Sequence, residues 1–406
     1  MVLGHETGRT TMDREKSENY ISRKTVTIIA LFTFMAFALG CSEFVVIGIE
    51  PELAEHFDVS HREAGKLVSW FAFAYAVATP VLAVCTGRVK RFTLMVIYLA
   101  VFVAANTLAM LAPTFGVMLV ARVLMGSVCG TTIAVAITVV PELIPEKYVS
   151  IGASIIYGAY SVAMVVSTAL ARYIAGYFNW HWTITGTMVI SLLASVAVIA
   201  VMPRHGETDE PAGMMEQIVF LKNPKVISGI FVYAFGVGGC YVVYAYISPY
   251  LENTVGLVPS QTSLVLIVFG GLTFVSNLLA GVVDMKWGMK SLIPAYAVGT
   301  VVLTAMSLCT GSTTASIGLV FAMGIVIYIV SIPCLTMFMR ESREKCPKAL
   351  TLAASLDPTA FNIGIAFGTA LGGQVIVRAG LPFLGYAGGV LCLMAVIMVV
   401  VNIKLK

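Results

Sequence analysis

The chain has 406 residues, of which 59% are hydrophobic and 11% charged, with a formal net charge of +4. Soluble domains carry about 25% charged residues, and apolar runs of roughly 20 residues are long enough to cross a bilayer as helices. An ordinary soluble domain is excluded, and a small positive excess spread over short loops needs no nucleic-acid partner, because basic loops sit beside anionic lipid.

In chain order, a charged stretch at 1–24 comes first. It lacks a cleavable signal pattern and reads as a cytoplasmic tail, with Met12 as an alternative start. Twelve apolar segments follow: 25–49, 64–85, 93–112, 116–140, 150–176, 181–202, 225–250, 262–283, 291–310, 315–339, 350–376 and 381–402. Turn chemistry separates them, as at Glu50-Pro51, Ala112-Pro113, Pro141, Pro145, Met202-Pro203 and Leu257-Val258-Pro259. A polar segment, 203–223, divides the spans six and six. The expected organisation is therefore a tail at 1–24, a six-helix half at 25–202, a linker at 203–223 and a second half at 224–406.

Lysine and arginine set the orientation. With both ends cytoplasmic, the inner side holds 20 of the 25 basic residues, and only Arg62, Lys66, Arg172 and Arg378 lie outside. Arg122 is left within the membrane.

Two charges interrupt the spans. Glu43 lies about 10 Å below the end of the first helix at 1.5 Å per residue, and Arg122 sits at similar depth in the fourth. An unpaired carboxylate there is costly, so it is expected to be protonated or paired. Arginine keeps its proton. The expectation is a site in which Glu43 is ionised against Arg122 in one state and protonated in another. Glu50, seven residues on, reads as a solvated helix end. The eight cysteines form no CxxC pair or Cys/His cluster and read as packing residues.

The halves echo each other: Ser167-Thr168-Ala169-Leu170 in the fifth segment matches Gly368-Thr369-Ala370-Leu371 in the eleventh, and basic turns follow the second and eighth. Such repeats point to a duplicated transporter with its site near the bilayer midplane. From about 25 to 402 the chain resembles the major facilitator superfamily, an all-α membrane fold of twelve helices in two pseudo-symmetric six-helix halves. CSEFVVIGIEPELAEHFDVS, ARVLMGSVCG, FGGLTFVSNLLAGVVD and AFNIGIAFGTALGG resemble the sugar, arabinose and purine-nucleoside efflux branch of the drug:proton antiporters.

The resemblance implies roles. Arg122, Gly126 and Gly130 match an RxxxGxxxG pattern associated with proton coupling. The loops after the second and eighth helices resemble the superfamily's gating loop through Gly87, Arg88, Lys90 and Arg91, and through Gly281, Asp284, Gly288 and Lys290; the first copy lacks the aspartate. Where related antiporters carry a glycine-proline motif in the fifth helix, this chain has Val166 and Thr168 after Gly158, which makes antiport less secure than transport. In this fold helices 1, 4, 7 and 10 line the central space, which puts Phe37, Thr131, Tyr241, Tyr244 and Tyr328 at the substrate. Asn277 and Asn362 need hydrogen-bond partners in the bundle or touch the solute.

Tyrosine walls suit a neutral amphiphile, sugar or nucleoside. The five histidines lie in the tail, loops or span ends, so an intramembrane enzyme lacks its imidazole, and no phosphate-binding glycine loop points to ATP. The resulting expectation is a proton-coupled exporter of a small neutral or amphiphilic solute. It would need no cofactor or metal, take protons and a small molecule as partners, and sit as a monomer in the lipid of the bacterial inner membrane. A proton-coupled importer, a uniporter and a non-transporting receptor of the same fold are the alternatives.

Overall fold

The computed structural model describes residues 23–86, 89–143, 146–202, 204, 219–346 and 350–405. Expectations for the tail, for most of the 203–223 linker, and for Gly87 and Arg88 lie outside the described residues.

Backbone amides cannot be left unpaired in hydrocarbon, so each apolar segment closes its own hydrogen bonds as a helix. The crossing helices are α1 (Arg23–Gly48), α2 (Lys66–Thr86), α3 (Arg91–Met110), α4 (Phe115–Leu143), α5 (Glu146–Tyr177) and α6 (Trp180–Val201). They continue with α7 (Pro224–Tyr244), α8 (Pro259–Trp287), α9 (Leu292–Leu308), α10 (Thr313–Lys345), α11 (Leu350–Arg378) and α12 (Leu384–Lys404). Pro259–Leu308 is one apolar stretch of 50 residues, about 75 Å as a single helix, too long for one crossing. Gly288, at φ +52°, breaks it into α8 and α9. Twelve crossings therefore place both ends of the described chain on one face, here called the terminal face; the opposite one is the far face. Asn179, Asn223 and Ser312 cap the starts of α6, α7 and α10 through their side chains.

Two boundaries differ from the sequence expectation. The seventh span stops at Tyr244 instead of 250, followed by Ile247–Pro249 and a π turn over Tyr250–Thr254, because Pro249 has no amide hydrogen to continue the ladder. The tenth is interrupted between Val326 and Ser331 and then runs on to Lys345.

Within the first six helices, α1 packs on α5 and α6, α2 on α4, and α3 on α4 and α6; within the last six, α7 packs on α11 and α12, α9 on α12, and α8 and α11 on α10. The two groups meet through α2 against α11 and α5 against α8. The repeated tetrapeptides sit at matching crossings: a Cβ on Gly48 of α1 would collide with the Thr168 carbonyl, and one on Gly368 of α11 with the Gly238 carbonyl of α7. Large apolar side chains such as Phe73, Leu193, Val196, Leu278 and Val301 are exposed on the perimeter, as a lipid-facing surface requires, while the polar groups turn inward.

Candidate functional site

Arg122 organises the first half. It is 1% exposed, and its guanidinium donates from Nε to the Leu67 carbonyl (3.0 Å), from Nη2 to the Glu43 carbonyl (2.7 Å) and from Nη1 to the Ser42 carbonyl. Its Cζ lies 4.3 Å from the centre of the Phe71 ring. Five fixed donors suit such a set of carbonyls, and the aromatic face completes the enclosure. Gly126 and Gly130 permit this by letting α4 meet the Phe71 carbonyl and the Tyr75 ring of α2. Behind the arginine, the Ser42 hydroxyl donates to Asn106 Oδ1 (2.9 Å) and lies 3.3 Å from the Ser191 hydroxyl.

Glu43 is 4% exposed. Its carboxylate accepts from the Tyr160 hydroxyl of α5, while Arg122 grasps its main chain. Among the described residues the Glu43 carboxylate is held by Tyr160 and not by Arg122, whose guanidinium is turned to three main-chain carbonyls. Arg122 nevertheless remains within electrostatic range of the carboxylate.

The second half carries a carboxylate that the sequence reading passed over. Asp357 of α11 is half-buried and accepts from the Tyr233 hydroxyl of α7. The helix positions exchange roles: acid on the first and tyrosine on the fifth helix of the first half, tyrosine on the first and acid on the fifth helix of the second. An acid inside a predicted apolar segment was the available signal.

Tyrosines connect these poles. Tyr75 lies within electrostatic range of both Glu43 and Asp357. Tyr241 and Tyr244 are buried; the Tyr244 hydroxyl lies 3.2 Å from that of Thr168 and its ring stacks on Phe269. Tyr328 stacks on Phe361 at 5.0 Å and donates to Met164 Sδ. Phe37 is half-buried. Asn277 donates to Ser161 across the two groups of helices (3.4 Å). Asn362 donates to the Pro358 carbonyl, and its buried Oδ1 has no partner among the described residues. Thr131 donates to the Val128 carbonyl of its own helix.

The far face is closed by charge. Arg172 of α5 reaches both Glu52 and Glu252, bridging the groups, and the Ser248 hydroxyl donates to the Ile47 carbonyl. Glu50 is fully buried rather than solvated, with His61 Nδ1 at 3.0 Å. Burial pushes its carboxyl above the usual range, opposed by the hydrogen bond from His61. Burial likewise raises Glu252 against the pull of Arg172. The loop folds back over Glu50, a path that needs Asp58 at φ +50°. At the terminal face, Asp284 accepts from Thr336 (3.2 Å) and Lys290 is exposed. Neither makes an ion pair among the described residues. Arg91 is partly buried at the start of α3. Glu341, fully buried and missed in the sequence, binds Lys225 (2.8 Å) and Lys345 (2.9 Å).

A sequence profile described as the Major Facilitator Superfamily matches residues 32–345. The chain belongs to that superfamily. Among curated relatives of this major facilitator are three uncharacterised MFS-type transporters of Bacillus subtilis strain 168. YtbD is 25% identical over 93% of this chain and 95% of its own length. YbcL is 30% identical over 70% and 73%, and YfhI 24% over 90% of each. Two solved structures share the fold. A D-xylose-proton symporter has a TM-score of 0.72 at 14% identity, covering 92% of this chain and 97% of its own. An inward-facing, unoccupied bacterial homologue of the human lysosomal transporter Spinster has 0.64 at 15%, covering 94% and 96%. As a major facilitator, the protein is a multi-pass membrane transporter and not an enzyme.

Proposed function

We propose that this major facilitator is a proton-coupled secondary transporter of the bacterial inner membrane. It exports a small neutral or amphiphilic solute by alternating access between its two six-helix halves, with both termini cytoplasmic. One observation carries the reading: Glu43 presents a carboxylate inside a span whose hydrogen-bond partner is a tyrosine hydroxyl, not the neighbouring arginine. A carboxyl held this way gains or loses a proton without rupturing an ion pair. Arg122 supplies a fixed positive charge nearby and ties α1, α2 and α4 into one body. The Arg172 bridge supports a cycle in which the far face parts and re-forms. Export draws its support from the resemblance of the first, fourth, eighth and eleventh helices to efflux permeases. The inward proton brings about 2.3 kcal/mol per 100 mV of membrane potential.

The test is solute-induced proton movement in proteoliposomes, screening sugars, nucleosides and cationic dyes, for wild type and Glu43→Gln. Proton release that Glu43→Gln abolishes while solute still binds supports coupling at Glu43. Unchanged proton movement in that variant places coupling elsewhere, and transport without any proton signal makes the protein a uniporter.

A further inference from the structure

Two histidines meet at the far face, and no step of the transporter reading uses them. His56 ends the short helix Glu50–His56 that follows α1, and His181 is the second residue of α6. Their ring centres are 5.4 Å apart, with 89° between the planes. Both side chains are exposed, so an ion in solution reaches them without any opening of the bundle.

The local structure prepares one of these rings as a ligand. Asn179 caps α6 with its Oδ1, which accepts the His181 backbone amide (2.9 Å), so that atom is an acceptor. The same Oδ1 lies 2.8 Å from His181 Nδ1. In the neutral ring Nδ1 therefore carries the proton, and Nε2 keeps its lone pair. A histidine whose second nitrogen donates to an oxygen is the usual arrangement behind a metal bond. Trp180, which is buried, stacks on His181 at 3.6 Å and lies 5.0 Å from His56, and Phe57 is 4.8 Å from His56. Aromatic contacts thus position the His56 ring, and no hydrogen bond occupies it among the described residues.

The spacing fits one shared ion. Two imidazole nitrogens bound to a tetrahedral ion at about 2.0–2.1 Å place their ring centres roughly 5 Å apart. Neutral imidazole suits zinc, copper and nickel, whereas magnesium and calcium prefer oxygen. No third histidine, cysteine, aspartate or glutamate joins the pair among the described residues. The remaining positions fall to water, and the site is a reversible one rather than a structural zinc centre.

We propose that His56 and His181 form a binding site for a divalent transition-metal ion on the far face. Nε2 of His181 and a ring nitrogen of His56 are its protein ligands. A bound ion cross-links the helix that carries Glu50 and Glu52 to the start of α6. The site stands apart from the transporter reading above, since nothing in it depends on Glu43 or on the solute.

The test is titration of the purified, untagged full chain in detergent with Cu²⁺, read by quenching of tryptophan emission, because Trp180 stacks on His181. The expected result is saturable quenching in wild type that excess Zn²⁺ reverses and excess Mg²⁺ does not. His56→Ala and His181→Ala should each weaken Cu²⁺ binding tenfold or more. Wild-type emission without saturable quenching, or histidine variants that bind Cu²⁺ as wild type does, overturns the proposal. Both rings are exposed, so the variants are expected to fold, and the wild-type titration decides by itself if one does not.

Discussion

Glu43 and Asp357 are both membrane-embedded carboxylates held by a tyrosine from the partner helix, yet their settings differ in one respect. Beside Glu43 stands an arginine locked onto three carbonyls and a phenyl ring; beside Asp357 there is none. The first site has a fixed cation beside it and the second has none among the described residues. An anchored site tolerates repeated change of charge because its framework does not depend on the carboxylate.

The largest expected difference between them is in stability. Arg122→Met orphans buried carbonyls of α1 and α2 and should cost about 1–3 kcal/mol for each, seen as a large drop in thermal midpoint and in monodisperse yield. Asp357→Asn removes a charge without a counter-ion and should leave stability within about 1 kcal/mol of wild type or raise it, since functional sites hold residues the fold does not favour. Equal destabilisation by the two would erase the distinction.

The contact between halves comes next. Arg172→Gln abandons two carboxylates on opposite sides of the far face and should shift the equilibrium towards opening by about 1–3 kcal/mol. Distance distributions between spin labels placed across that face would report it, and an unchanged distribution would deny Arg172 a role in closure. Tyr160→Phe and Tyr233→Phe each delete one hydrogen bond to a carboxylate, with a stability loss of about 1–2 kcal/mol. Thermal midpoints of the two variants would check it, and no loss in either would deny these hydrogen bonds a part in holding the helices together.

The smallest effect is that of pH. Burial raises the Glu50 carboxyl in the closed far face despite His61, with Glu52 raising it further and Arg172 lowering it. Once opened to water, the group returns towards its ordinary value. Closure therefore takes up a proton: stability of the closed state is present at low pH and is lost as pH rises through the closed-state value. The same spin-label distances should shorten as pH falls, and Glu50→Gln should weaken the response, with Glu252, likewise raised by burial, carrying what remains; an unweakened slope in that variant would deny Glu50 the role.

Much of this molecule was legible in its sequence. Long apolar runs, proline-bearing turns and a six-plus-six division announced twelve helices, and two charges inside spans marked Glu43 and Arg122 as buried. Partnerships were not legible. Glu50 looked like a solvated helix end because the sequence cannot tell that the loop through Asp58 folds back over it. Asp357 lies inside the expected eleventh segment, but its tyrosine partner is on another helix, and α11 runs through it and Pro358 without a break.

The sequence by itself determined the solvent of the protein, the number of its crossings and its superfamily, because burial of a backbone in lipid allows few solutions and hydropathy records them directly. Only the tertiary structure decided that Arg122 binds carbonyls rather than a carboxylate, that Glu43 and Asp357 each answer to a tyrosine more than 100 residues away, and that Arg172 joins the halves. Those facts depend on which faces of twelve similar helices meet, and that is set by close packing at glycine crossings and by the satisfaction of a few buried polar groups.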